Sequence, residues 1–226
     1  MAGMAAVATL STGTAAMAAP AGEHAAAAAP RCTVTMHISS RISLTASTTK
    51  VPITMTGCTN RLDNASVQLS DPKGKFWDAV YFTGAHRKFT EKFKISDAPP
   101  IGRYKLVPQS GFTTDSPPQQ VVWGNSPTSV LKLGSKATIA TSRHGSKVTI
   151  STLVRHFSGS GWKAYTHKTV GIQIKSNGKW KTLGFAKTNS HGRASLTHTA
   201  AHAAYYRVSV GSTSSYWGSI SGSSRR

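Results

Sequence analysis

The chain has 226 residues, a formal net charge of +20 and 38% hydrophobic residues, which is enough apolar material for two domains of ordinary size. Its last side-chain carboxylate is Asp115, and 15 of its 27 lysines and arginines follow that residue. Residues 116–226 therefore contain no Asp or Glu that could act as an acid–base catalyst or bind a hard cation, and their positive field favours an anionic partner.

Residues 1–30 form an Ala-rich segment with a weak apolar stretch. Ala16-Met17-Ala18 has the small-x-small pattern of a signal-peptidase site, although no Lys or Arg precedes Arg31. We interpret the segment as a signal peptide or a disordered Ala-rich segment, with the true start upstream as an open alternative. The expected location is secreted, extracellular.

Cys32 and Cys58 are the two cysteines of the chain. In a secreted protein, a pair of cysteines most simply forms one disulfide. A thiol nucleophile or half of a metal site are the alternatives, and a spacing of 26 residues without flanking histidines favours neither. The sequence predicts a Cys32–Cys58 disulfide.

Short apolar runs bounded by turn residues recur along the chain, and no long window has helical periodicity. In the first half the predicted strands are 33–38, 42–45, 51–57, 65–70, 76–82, 88–95 and 102–108, with 121–123 as a closing strand. In the second half they are 129–133, 137–142, 147–155, 168–175, 179–188, 193–199 and 204–211. Seven strands in each half predict an all-β chain of two immunoglobulin-like β-sandwich domains in tandem.

The proline-rich segments 113–118 and 124–127 separate the two halves. We therefore predict three regions: the Ala-rich segment 1–30, a disulfide-linked sandwich at 31–126, and a strongly basic sandwich at 127–226. Three short stretches of the first half align in order with stretches of the second half, at offsets of 97 to 104 residues. Nearly constant offsets suggest two copies of one unit, although any two sandwiches would share some of this similarity.

The second half resembles the immunoglobulin-like repeats of many secreted and cell-surface bacterial proteins. The resemblance is carried, in order, by Lys147–Ser151, Gly171–Ile174, Asn177–Leu183, Thr188–Ala194 and Tyr205–Val208 with Gly211-Ser212. It implies a tandem architecture without catalysis, as in spacers, adhesive modules and polymer-binding modules. The acidic residues usual near the turn glycine are absent here, so calcium-dependent stiffening is not expected.

Basic and aromatic residues alternate in two segments of the second half, Gly161–Lys168 and Lys175–Lys181. Cationic side chains there would meet anions while aromatic rings stack on a sugar or base. The alternative is that Trp180 packs within its hairpin and that the lysines only solvate exposed strands. The candidate anion- or glycan-binding residues are Trp162, Lys163, Tyr165, Lys168, Lys175, Lys179 and Lys181.

No nucleophile elbow or convincing carboxylate pair indicates catalysis, and His198 and His202 have ligand spacing without a helix to place them together. The prediction is therefore no enzyme, no cofactor and no metal. We expect a monomeric binding module for an anionic polymer or envelope surface, with no transmembrane segment and at most non-specific nucleic-acid binding. A spacer or scaffold without a ligand, and an inhibitor of a secreted hydrolase, are the alternatives.

Overall fold

The computed structural model describes residues 31–226, and the predicted signal peptide or Ala-rich segment lies outside these residues. The first nine strands are β1 (Thr33–Ile38), β2 (Arg41–Leu44), β3 (Thr48–Gly57), β4 (Leu62–Ser70), β5 (Phe76–Thr83), β6 (Lys88–Lys94), β7 (Gly102–Thr113), β8 (Val122–Trp123) and β9 (Thr128–Leu133). The next nine are β10 (Ser135–His144), β11 (Lys147–Phe157), β12 (Trp162–Ala164), β13 (Thr169–Ser176), β14 (Lys179–Lys187), β15 (Arg193–Thr199), β16 (Tyr205–Val210), β17 (Ser219–Ile220) and β18 (Ser224–Arg225). Two 3₁₀ helices occupy Thr59–Arg61 and Ile95–Asp97.

The first sandwich packs a sheet with the order β6-β3-β1-β8 against a sheet with the order β2-β9-β7-β4-β5. Side chains alternate between its core and solvent, as period-two strands require. On β6, for example, Phe93 is buried while Lys92 and Lys94 are exposed. Tyr104 and Leu106 on β7 are likewise fully buried.

The second sandwich consists of a sheet in which β11 pairs with β10, β12 and β15, and a sheet with the order β14-β13-β16, to which β17 and β18 add. Its core contains Val148 and Ile150 from the first of these sheets and Ile172, Tyr206 and Val208 from the second. The predicted all-β fold of two sandwiches in tandem is confirmed.

The two sandwiches share one strand arrangement. The central triplet β5-β4-β7 of the first corresponds to β14-β13-β16 of the second, and β6-β3-β1 corresponds to β15-β11-β10. Tyr104 and Tyr206, which the sequence offsets align, are both fully buried on corresponding strands. The shared order supports the interpretation of the chain as two copies of one unit.

A hairpin at Asn177-Gly178 joins β13 and β14, two of the predicted strands. Ser176 pairs with Lys179, and the two loop residues have φ values of 50° and 76°. Positive φ at both positions matches the twist of the flanking strands, which explains the Asn-Gly sequence.

The strand Thr128–Leu133 does not belong to the second sandwich, where the boundary at residue 126 placed it. This strand, β9, pairs with β2 and β7 in the first sandwich. Gly134 alone connects β9 to β10. A Cβ atom there would lie 2.5 Å from Cγ2 of Thr45, so only glycine fits without displacing the first sandwich.

The disulfide between Cys32 and Cys58 is present, with a Cα–Cα distance of 5.4 Å. It joins the residue before β1 to the residue after β3, and these two strands are neighbours in one sheet. Within residues 31–226, no helix has the length and apolarity that a bilayer crossing requires.

Trp217 fastens the C-terminal segment to the first sandwich. Its indole Nε1 donates a hydrogen bond of 2.7 Å to the carbonyl of Ile42. The cations of Arg41 and Lys132 lie 4.4 Å and 4.8 Å from its ring centroid. Backbone hydrogen bonds between Leu133 and residues 215 and 217 complete this contact, which we call the Trp217 clasp.

We expect Trp217→Ala to loosen the junction between the sandwiches, because the indole contacts and the hydrogen bond to Ile42 are lost together. A single buried hydrogen bond contributes about 1 kcal/mol, and the lost packing adds to it. Limited trypsin digestion should then cleave after Lys132 or Lys136 several-fold faster than in the parent protein. Trp180→Ala is the matched control, because it removes a tryptophan on β14 that takes no part in the clasp. Equal cleavage rates in the clasp variant and the parent would contradict this role.

Candidate functional site

The cations of the second sandwich have no side-chain carboxylate of their own half to pair with. In the first sandwich, by contrast, the guanidinium of Arg61 pairs with Asp115. Where the second sandwich engages its cations, it uses neutral groups instead. The guanidinium of Arg143 donates to the carbonyls of Ala200 and His202, at 2.8 Å and 2.9 Å. Such contacts hold the side chain but leave its charge unneutralised.

The solvent-facing side of the sheet β14-β13-β16 with β17 and β18 brings cations and aromatic rings together, and we call it the cationic face. Cross-strand partners lie on the same side of a sheet. Lys175 on β13 is paired with Trp180 on β14, and Tyr205 on β16 is paired with Arg225 on β18. Since Ile174 pairs with Tyr206, the adjacent Lys175 and Tyr205 also lie side by side.

These pairings place Trp180, Lys175, Tyr205 and Arg225 in one line across four strands. We call this line the cross-strand row. Its rings and cations alternate. Lys175 and Arg225 are exposed, Tyr205 is 45% exposed, and Trp180 is half-buried. The Arg225 guanidinium lies 5.9 Å from the Tyr205 ring centroid, a distance at which a cation–π attraction operates.

Arg207 fixes the centre of the cationic face. Its Nε donates a hydrogen bond of 2.7 Å to Oε1 of Gln173, and its guanidinium carbon lies 4.3 Å from the ring centroid of Trp180. Farther along the strands, Phe185 is 69% exposed and its ring lies beside Gly171. Ile220 on β17 lies on the same side of the sheet as Phe185 and is 58% exposed. The face therefore combines positive charge with apolar rings that no part of the described chain covers.

The structure separates the seven candidate residues of the sequence analysis. Lys175 lies on the cationic face. Lys179 and Lys181 alternate to the opposite side of β14, at the end of the sandwich, and both are exposed. The remaining four lie on or after β12, away from this row.

Trp162 packs at the junction of the sandwiches, against the first core and 5.8 Å from the ring of Phe157. Lys136 lies over its ring, 4.1 Å from the centroid. Lys163 beside it is exposed. Residues Trp162–Ala164 form strand β12.

Tyr165 packs against His156 and Tyr216, with ring centroids 5.1 Å and 5.3 Å away. Burial raises the pKa of the Tyr165 hydroxyl, and a hydrogen bond with Thr213 partly opposes this shift. Lys168 is half-buried, and its Nζ lies 5.4 Å from the Tyr165 ring. The contacts of Trp162 and Tyr165 are thus internal packing contacts near the junction.

His198, one of the two histidines with ligand spacing, also contacts a neighbouring side chain. His198 Nε2 lies 3.0 Å from the Tyr206 hydroxyl, so this ring is engaged in the core of the second sandwich. In the described part of the chain, no group of three or more His, Cys, Asp or Glu residues could hold a metal ion.

One carboxylate of the first sandwich, that of Glu91, is buried. Glu91 is 3% exposed, and its Oε1 accepts a hydrogen bond of 3.3 Å from Trp77 Nε1. Burial, followed by the neighbouring Asp78, raises the pKa of Glu91 to about 7. The signal was available, because Glu91 occupies the inward position between Phe89 and Phe93 on an alternating strand.

No protein-family model matches the chain, and no curated protein matches it. Among solved structures, it is similar to a tetra-tandem repeat from the extending region of a large adhesion protein, with 14% identity and a TM-score of 0.32. That match covers 86% of this chain and 48% of the other, so the chain spans about half the length of that structure.

It is also similar to a segment of two fibronectin type III domains from chicken tenascin, with 8% identity and a TM-score of 0.37 over 84% of this chain and 95% of the other. The D00-D0 domain of intimin matches with 12% identity and a TM-score of 0.29 over 85% and 98%. At these identities, nothing about function transfers to this chain.

Proposed function

We propose that this protein is a secreted, non-enzymatic binding module whose basic C-terminal sandwich engages anionic polymers of the cell envelope through the cationic face. The observation that carries the proposal is the exposure of Lys175, Arg225 and the rings of Tyr205 and Phe185 on one side of one sheet. No side-chain carboxylate in residues 116–226 opposes their field.

Two further features support a location outside the cell. A disulfide persists in oxidising compartments and is rare in the cytosol. The surface charge also suits the polymers found there, since phosphate- and carboxylate-bearing chains attract Lys and Arg through charge-assisted hydrogen bonds. The division into two domains, the first ending with β9 and the second beginning with β10, is part of the same proposal.

We expect the purified protein to be retained on isolated cell-wall material at low ionic strength and released as salt increases, because binding displaces condensed counterions. Lys175→Gln with Arg225→Gln should reduce the slope of log affinity against log salt by about two, one for each cation removed.

The matched control removes the same charge elsewhere. Lys147→Gln with Arg155→Gln alters two exposed cations on β11, in the other sheet of the same sandwich. If both double variants lose the same affinity, the charge acts through the whole molecule and the cationic face is not the site. If the parent protein is not retained at low salt, the proposal fails and a spacer without a ligand is favoured.

A further inference from the structure

The cross-strand row has a spacing that selects among anionic polymers. Neighbouring strands lie about 4.8 Å apart, so the line from Trp180 to Arg225 spans roughly 14 Å. One strand spacing is close to the length that one pyranose residue adds to an extended glycan. A polysaccharide lying across the strands would therefore place one sugar over each member of the row.

The row alternates between rings and cations. Lys175 and Arg225 are separated by Tyr205, so the cations recur at every second strand, about 10 Å apart. A polyphosphate or a nucleic acid carries a charge on every unit, so some of its charges would face the neutral ring of Tyr205 or fall between the two cations. A glycan with one acidic sugar in every two matches each carboxylate to a cation.

The neutral sugars of such a polymer would lie against rings. Tyr205 is 45% exposed, and a ring of this kind offers an apolar surface to the less polar side of a pyranose. Gln173, adjacent to the row and held by Arg207, adds a polar side chain for sugar hydroxyls.

We infer that the cross-strand row binds an anionic polysaccharide in which acidic and neutral sugars alternate. This inference rests on the proposed function and specifies the ligand of the same face. It assigns Lys175 and Arg225 to two acidic sugars and Tyr205 to the neutral sugar between them. Trp180, whose ring is partly covered by Arg207, borders the next neutral sugar.

The test compares four probes with the full chain by titration calorimetry at fixed ionic strength: hyaluronate, polygalacturonate, inorganic polyphosphate and oligo(dT). Hyaluronate carries a carboxylate on alternate sugars, whereas polygalacturonate carries one on each sugar. We expect hyaluronate to bind most tightly, although its charge density is the lowest of the four.

Tyr205→Ser separates stacking from charge, because it leaves every cation in place. We expect it to weaken hyaluronate binding about tenfold, the order of magnitude for loss of one stacking ring, and to leave polyphosphate binding within twofold. Tyr81→Ser is the matched control, since Tyr81 is an exposed tyrosine on β5 of the first sandwich, away from the cationic face. It should leave hyaluronate binding within twofold.

An affinity order that follows charge density, or a Tyr205 variant that binds hyaluronate like the parent, overturns the inference while leaving anion binding intact. Tighter binding of oligo(dT), lost in the Tyr205 variant, would assign the row to single-stranded nucleic acid and overturn it as well. Failure of all four probes to bind would overturn the proposed function itself.

Discussion

Replacing Glu91 with glutamine should stabilise the protein above neutral pH. The carboxyl group is buried, and its pKa is raised to about 7, so the folded protein holds a proton that the unfolded chain has released. Stability is therefore fully present below the ordinary pKa of a glutamate and is lost as the pH rises through about 7. At pH 8 the ionised group costs about 3 kcal/mol, which Glu91→Gln should recover.

Urea unfolding between pH 4.5 and pH 8.5 measures this effect. The parent and the Glu91→Gln variant should have similar free energies of unfolding at the acidic end and diverge as the pH rises. The difference between the free energies of unfolding of the two proteins is the quantity to compare, because every other pH-dependent group is common to both. Asp97→Asn is the control, since Asp97 is an exposed carboxylate three residues after the end of the same strand. Parallel pH profiles for the parent and the Glu91 variant would contradict a raised pKa.

Removing the disulfide is expected to cause a loss of similar size. In the chain-entropy description, a crosslink that closes a loop of 26 residues destabilises the unfolded state by about 3–4 kcal/mol. Cys32→Ala with Cys58→Ala should lower the urea midpoint by the corresponding amount and increase the urea dependence of unfolding, because the unfolded chain exposes more surface.

The loss should be confined to the first sandwich, where the bond joins the ends of β1 and β3. Hydrogen exchange should accelerate for amides in the ladder between these strands and remain unchanged in the core of the second sandwich. Adding a reductant should reproduce the loss in the parent protein and have no effect on the double variant. Unchanged exchange in β1 would show that the sheet does not depend on this crosslink.

Local sequence patterns predicted most strands because burial imposes a period of two. The prediction for β1 coincides with the observed Thr33–Ile38. The two predicted strands on either side of Asn177-Gly178 likewise form a hairpin. The same patterns do not identify which strand pairs with which. Thr128–Leu133 has the alternation of a strand, but its place beside β2 and β7 is decided by contacts far away in sequence.

The candidate site was harder to predict for a related reason. Alternation placed Lys175 and Trp180 near one hairpin, but it could not show that Tyr205 and Arg225 continue the same line from strands 30 to 50 residues later. Trp162 was a candidate because basic and aromatic residues alternate in its segment. In the fold, its ring packs at the junction against Phe157 and the first core, and these contacts cannot be deduced from a local pattern.

The Trp217 clasp gives the junction an unusual mechanical property. Covalently, the two sandwiches are joined by the single residue Gly134, and non-covalently they are joined by a segment more than 80 residues farther along the chain. A pulling force on the two ends of the described chain would meet β17 and β18 before it reaches the clasp, because both strands follow Trp217 and pair with β16. While those strands hold, the clasp acts in parallel with Gly134 and restrains the two sandwiches from swinging apart about that residue.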